Sequence, residues 1–148
     1  MSYWWVNQGK SYRPERRAGI LYAPLFDAAG RRPVHWEALA AAVVGDVVLH
    51  YADQHIRAVG TVTQAAEDAP RPYDLPNDRW EDRGRLVRVR YIDAEPPVHR
   101  EEIPLERRLG HPATGPFQGD GAVKLGYLWP LTEDFGDWFT STFASRTR

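Results

Sequence analysis

Apolar and β-branched residues dominate Tyr3–Asn7, which predicts a first strand ended by Gly9. Ser11–Arg17 carries Pro14 where a first helical turn tolerates it and is followed by Gly19, which predicts a short helix. Ile20–Tyr22 is a brief apolar piece cut off by Pro24. Pro33 opens a second predicted helix over about Val34–Val43, with Trp36, Leu39, Ala40 and Val43 on its apolar face. Val47–Tyr51 and Ile56–Thr63 flank Ala52–His55 and predict a hairpin. Residues 67–82, interrupted by Pro70, Pro72 and Pro76, read as a long loop. Leu86–Ile92 alternates Val87, Val89 and Tyr91 with Arg88 and Arg90, a strand that Pro96-Pro97 should end. Glu101–Leu109 offers one or two helical turns around Pro104, and Gly110–Gly126 is a Gly/Pro-rich loop. Tyr127–Leu131 predicts a last strand, and Thr132 caps a C-terminal helix over about residues 132–145, with Phe135, Trp138, Phe139 and Phe143 as its core face. Strands and helices mix without βαβ regularity, so the expected class is α+β with a curved sheet or small barrel.

Length sets the domain count. The 148 residues make one domain, 1–148, with no room for a second of ordinary size. Nineteen Lys+Arg against twenty Asp+Glu exclude a strongly basic, histone-like binder. The absence of cysteine excludes disulfides, thiolate zinc sites and a cysteine nucleophile. The first residues show no signal-peptide pattern, and no apolar run approaches the roughly 18 residues of a membrane helix, so a cytoplasmic protein without membrane contact is expected.

Most catalytic constellations are missing. The five histidines form neither HExxH nor a zinc-deaminase pattern; there is no G-x-S-x-G, no phosphate loop, and no acid two residues before Lys10 or Lys124. The expectation is a binding module with no metal and no cofactor, not an enzyme. Its aromatic residues sit in loops as well as on core faces: Tyr22 before a strand break, Tyr73 and Trp80 bracketing the proline loop, Tyr127 and Trp129 after the glycine-rich one. Flat π-surfaces near a loop rim suit stacking of a base.

The ordered pieces Trp5-Val6-Asn7-Gln8-Gly9-Lys10, Leu21-Tyr22-Ala23-Pro24, His35-Trp36, Gly45-Asp46-Val47-Val48, His50-Tyr51, Ala58-Val59-Gly60, Trp80, Tyr91, Gly115-Pro116-Phe117 and Gly126-Tyr127-Leu128 resemble the EVE domain. That domain is a branch of the PUA-like superfamily that also holds the YTH readers. The resemblance runs from about residue 4 to 131. It implies a small curved PUA-like β-barrel flanked by helices, and a pocket for one extruded modified base. In bacteria the implied ligand is DNA carrying 5-methylcytosine; in the YTH branch it is N6-methyladenine in RNA, held by tryptophans. The matching cage positions here are Tyr22, Tyr73 or Leu75, and Trp80, so two of three tryptophans are replaced and a smaller, more polar cage is implied.

The base-binding candidates are therefore Trp5, Asn7, Gln8, Tyr22, Ala23, Tyr73, Leu75 and Trp80. Asn7 and Gln8 carry donors and acceptors matching the edge of cytosine. Residues 1–36 hold six cations against two acids, and Arg83, Arg85, Arg88 and Arg90 cluster near Trp80. Lys10, Arg13, Arg17, Arg83, Arg85 and Lys124 are the candidates for the nucleic-acid backbone. The partner expected is DNA with a modified cytosine, with a separate nuclease as a further partner. The alternatives are an RNA-modification reader on the same fold and a base-processing enzyme such as a glycosylase.

Overall fold

The computed structural model describes residues 1–72 and 83–148. Six strands form one mixed sheet: β1 Tyr3–Asn7, β2 Ile20–Pro24, β3 Val47–Ala52, β4 His55–Pro70, β5 Arg83–His99 and β6 Leu128–Leu131. Their order is β2-β5-β4-β3-β1-β6. Only β1 and β3 run parallel; every other neighbour is antiparallel. The helices are α1 Tyr12–Ala18, α2 Val34–Glu37, α3 Leu105–Leu109 and α4 Glu133–Thr142. This is the α+β class expected, a curled half-barrel flanked by helices.

Strand β1 explains why the sheet has apolar packing on both sides. Trp4 and Val6 point into one cluster with Leu21, Trp36, Leu39, Val62 and Val89. Tyr3 and Trp5 point into the other, with Leu49, Ile103, Phe117, Phe135 and Phe139. Alternation with period two sends neighbours to opposite faces, so a strand buried on both sides reads as an unbroken apolar run. The Asp46 carboxylate anchors its start, accepting from Ser2 N (2.8 Å), Trp4 Nε1 (3.0 Å) and Val43 N (2.9 Å).

Three expectations need correction. The second helix is not continuous over Val34–Val43: α2 ends at Glu37 and a 3₁₀ segment follows over Ala38–Ala41. Three residues per turn select positions three apart. Trp36, Leu39 and Ala42 therefore face inward, while Ala40 and Val43 are exposed. Strand β4 continues to Pro70, so residues 67–70 are paired rather than looped. Their polar side chains are tolerated because β5 supplies the ladder partners, Pro70 opposite Arg83 and Asp68 opposite Arg85. Pro96-Pro97 does not end β5, which runs to His99. The ladder passes from Ala58↔Asp93 to Ile56↔Val98, so both prolines lie in a bulge where no ladder hydrogen bond is required of them.

The C-terminal helix is as expected at its cap, where Thr132 Oγ1 accepts from Phe135 N (3.1 Å). It ends at Thr142, and a 3₁₀ turn follows over Ala144–Arg146. Gly136 lets it lie on β1: a Cβ there would stand 2.1 Å from the Tyr3 ring. That ring is held by its hydroxyl, which donates to Asp137 Oδ1 at 2.6 Å. Gly→Ala in a helix normally gains up to about 1 kcal/mol. Here the Gly136→Ala variant should instead lose roughly 1–3 kcal/mol through overpacking, read as a lower urea midpoint. A raised midpoint would show that the Tyr3 contact yields.

Candidate nucleic-acid interface

The two parallel strands end side by side at one mouth of the half-barrel. There Asn7 and Gln8 leave β1, and Tyr51 and Ala52 leave β3. Edge strand β2 brings Tyr22 and Pro24, α2 brings His35 and Trp36, and the segment before β6 brings Lys124 to Tyr127. Together they enclose a cavity of about 780 Å³, a volume within the usual range of small-molecule sites.

A buried polar network forms its floor. Glu15 is fully buried, yet its carboxyl accepts from Tyr127 Oη (2.6 Å to Oε1, with a shorter contact to Oε2), Ser11 Oγ (2.9 Å), Gln8 Nε2 (3.3 Å) and Tyr22 N (3.2 Å). Gln8 Nε2 also donates to Tyr91 Oη (2.8 Å), which donates onward to Ile20 O (2.7 Å). Gln8 Oε1 accepts from His50 Nδ1 at 2.8 Å, which assigns the ring proton to that nitrogen. The His50 ring stacks on Tyr91 with centroids 3.9 Å apart, and its buried Nε2 meets no partner among the described residues. Burial lowers the His50 ring to about 3. It raises the Glu15 carboxyl to about 7, against the hydrogen bonds from Tyr127, Ser11, Gln8 and Tyr22. Burial and the Glu15 charge hold the Tyr127 hydroxyl well above its ordinary value.

The walls are aromatic: Tyr22, Trp36, Tyr51 and Tyr127, with His35 accepting from Tyr127 N at 2.8 Å through Nδ1. Lys10, Arg71, Arg100 and Lys124 line the same cavity, against Glu15 and Asp53. Among the described residues no cluster of His, Asp or Glu could hold a metal ion, and no helix is long and apolar enough to cross a membrane.

The structure sorts the sequence candidates. Tyr22 and Lys10 line the cavity. Asn7 and Gln8 line it too, but their amides are already engaged. Asn7 Nδ2 donates to Lys124 O (2.9 Å) and Gly126 O (2.6 Å), and its Oδ1 accepts from Trp5 Nε1 (2.9 Å). With both donors of each amide engaged, neither can donate to a base. Trp5 shares a face with Asn7 as expected, but it is fully buried against Tyr51 and Phe117 and cannot touch a ligand. Ala23 is core, packed with Leu21 and Val87. Lys124 donates to Ala113 O and lies 4.8 Å over the Trp129 ring, and Arg85 is paired with Glu37. Arg13, Arg17 and Arg83 are exposed but lie outside the lining. Tyr73, Leu75 and Trp80 lie outside the described residues. Sequence reasoning missed Tyr51, Arg71 and Arg100 at the cavity, and it placed Trp36 only in the core. The adjacent aromatic pairs His35-Trp36 and His50-Tyr51 carried the available signal.

No family model and no curated protein matches the sequence. Solved structures match throughout. Human THYN1, in complex with DNA containing 5-methylcytosine, is 15% identical with a TM-score of 0.56, covering 96% of this chain and 97% of that one. The Pho92 YTH domain, in complex with m6A, is 13% identical with a TM-score of 0.57, covering 99% and 87%. The chain has a PUA-like fold. A hypothetical protein from Leishmania major is also similar in structure, 13% identical with a TM-score of 0.60, covering 100% and 98%. The fold is thus shared with proteins solved in complex with m6A and with 5-methylcytosine-containing DNA.

The network makes stability depend on pH in two opposed ways. The unfolded chain releases the Glu15 proton near 4.5 and the native one near 7, so this group's contribution falls as pH rises between those values. His50 takes a proton near 6.5 when unfolded and near 3 when folded, so its contribution falls as pH drops between those values. The stability difference between wild type and Glu15→Gln should shrink from pH 4.5 to 7, by up to about 1.4 kcal/mol per pH unit. Urea unfolding across that range measures it; a constant difference would show that native Glu15 titrates at its ordinary value.

Proposed function

We propose that the cavity receives one modified base extruded from nucleic acid, most specifically 5-methylcytosine in DNA, and that the protein binds it without carrying out a reaction. The observation that carries this reading is an aromatic-walled cavity with cations along its lining. The walls suit a flat π-system, and stacking contributes about 1–3 kcal/mol per base. Lys10 forms no ion pair among the described residues, which leaves its charge available to a phosphate. The human relative of the same fold, bound to DNA with 5-methylcytosine, supports the choice of ligand.

Selectivity requires a shaped slot. Burying one methyl is worth roughly 0.8 kcal/mol, about a factor of four, so larger discrimination depends on walls that lose contacts when the methyl is missing. With Asn7 and Gln8 engaged, Tyr51 becomes the edge reader: its hydroxyl makes no hydrogen bond among the described residues and can donate to O2 or N3 of cytosine. Glu15 accepts from four donors, Gln8, Ser11, Tyr22 and Tyr127, and is a structural acid rather than a base awaiting a substrate. Cleavage of DNA marked in this way falls to a separate nuclease.

A binding panel tests the reading: matched DNA and RNA oligonucleotides with C, 5-methyl-C, 5-hydroxymethyl-C, A and N6-methyl-A. The expected order places 5-methyl-C DNA first. Preference for N6-methyl-A in RNA would transfer the cavity to the chemistry recorded with the YTH relative, and release of free base would make the protein an enzyme. Tyr51→Phe should weaken the preferred ligand by roughly 0.5–1.5 kcal/mol, the worth of one hydrogen bond. Lys10→Ala should weaken methylated and plain duplexes alike and flatten the slope of log K against log salt by about 0.9.

A further inference from the structure

Leu125 is the most exposed large hydrophobic residue among the described residues, at 92%, and it stands on the cavity lining. Single exposed leucines are ordinary on flexible surface loops. This one is held. Lys124 N donates to Pro116 O at 2.7 Å, and the Asn7 side chain bridges the carbonyls on both sides of Leu125, those of Lys124 and Gly126. Tyr127 N donates to His35, and Tyr127 O accepts from Asn7 N at 2.8 Å. Gly126 takes a φ of +111°, and a Cβ there would meet Trp129 and His35 within 3 Å, so the backbone beside the leucine has little freedom to move. The result is an apolar side chain projecting into water from an anchored backbone, beside an aromatic cavity lined by Lys10, Arg71 and Arg100.

Resting on the base-extrusion reading above, we propose that Leu125 is a wedge that enters the DNA stack at the position vacated by the extruded base. A base leaving a duplex opens an apolar gap between its neighbours. Side chains such as Leu, Ile and Met fill gaps of this kind between base steps. An anchored wedge loses little conformational freedom on insertion. The proposal predicts that Leu125 matters for duplexes, where the stack must be opened and held, far more than for single strands.

The test measures affinities of wild type, Leu125→Ser and Leu125→Met for one 5-methyl-C oligonucleotide, single-stranded and in a matched duplex. Urea unfolding of each variant checks the fold, which a residue this exposed should leave intact. Leu125→Ser should lose about tenfold more affinity for the duplex than for the single strand, and Leu125→Met should recover most of it. A fluorescent base analogue opposite the target should brighten with wild type and less with Leu125→Ser. Equal losses on both ligands, or none on either, would overturn the wedge while leaving the pocket in place. A wild type that does not prefer the modified single strand over the plain one would instead overturn the pocket, and the wedge with it.

Discussion

A single carboxyl closes this molecule. The two edges of the sheet, β2 and β6, do not pair with one another. Across the gap, Tyr22 N on β2 donates to Glu15 Oε2 and to Tyr127 Oη, and Tyr127 donates to Glu15. Side-chain oxygens thus occupy the place a neighbouring strand would take. The arrangement is sensitive to loss: a donor left buried without a partner costs about 1–3 kcal/mol, and Glu15 serves Tyr22, Gln8, Ser11 and Tyr127 at once. The shape of the cavity therefore follows from the buried carboxyl at its floor.

Much of the fold was legible because its signals are local. The unbroken apolar run of β1, the hairpin around Ala52–His55 and the capped C-terminal helix all follow from neighbours within a turn or a strand. The length of β4 was not, since Glu67 to Pro70 are strand only because β5 lies beside them. The site was less legible for the same reason. Asn7 and Gln8 carry suitable donors, but their partners, at Lys124, Gly126, His50 and Tyr91, are brought to them only by the fold. Trp36 is both an inward position of α2 and a cavity wall, and periodicity reports only the first.

Charge follows the same pattern. Several cations that cluster in sequence are neutralised in space, Arg16 by Asp93 and Arg85 by Glu37. The cations that line the cavity come from separated points, Lys10, Arg71, Lys124 and Arg100, the last of them 3.7 Å from Glu101. A chain with almost no net charge can present a positive mouth in this way, because field depends on where the charges stand rather than on their sum.

The position of β1 carries a consequence for biosynthesis. It is the first strand of the sheet to be made, yet it lies between β3 and β6, the last strand of the sheet. Until Leu128–Leu131 leaves the ribosome, Trp4 and Trp5 lack one neighbour and Glu15 lacks the hydroxyl of Tyr127. Ordered packing of β1 thus waits for β6, and contacts of such long sequence separation form slowly. The nascent chain carries its aromatic strand unpaired on one edge until β6 has been made, an interval in which unpaired strands are prone to aggregate.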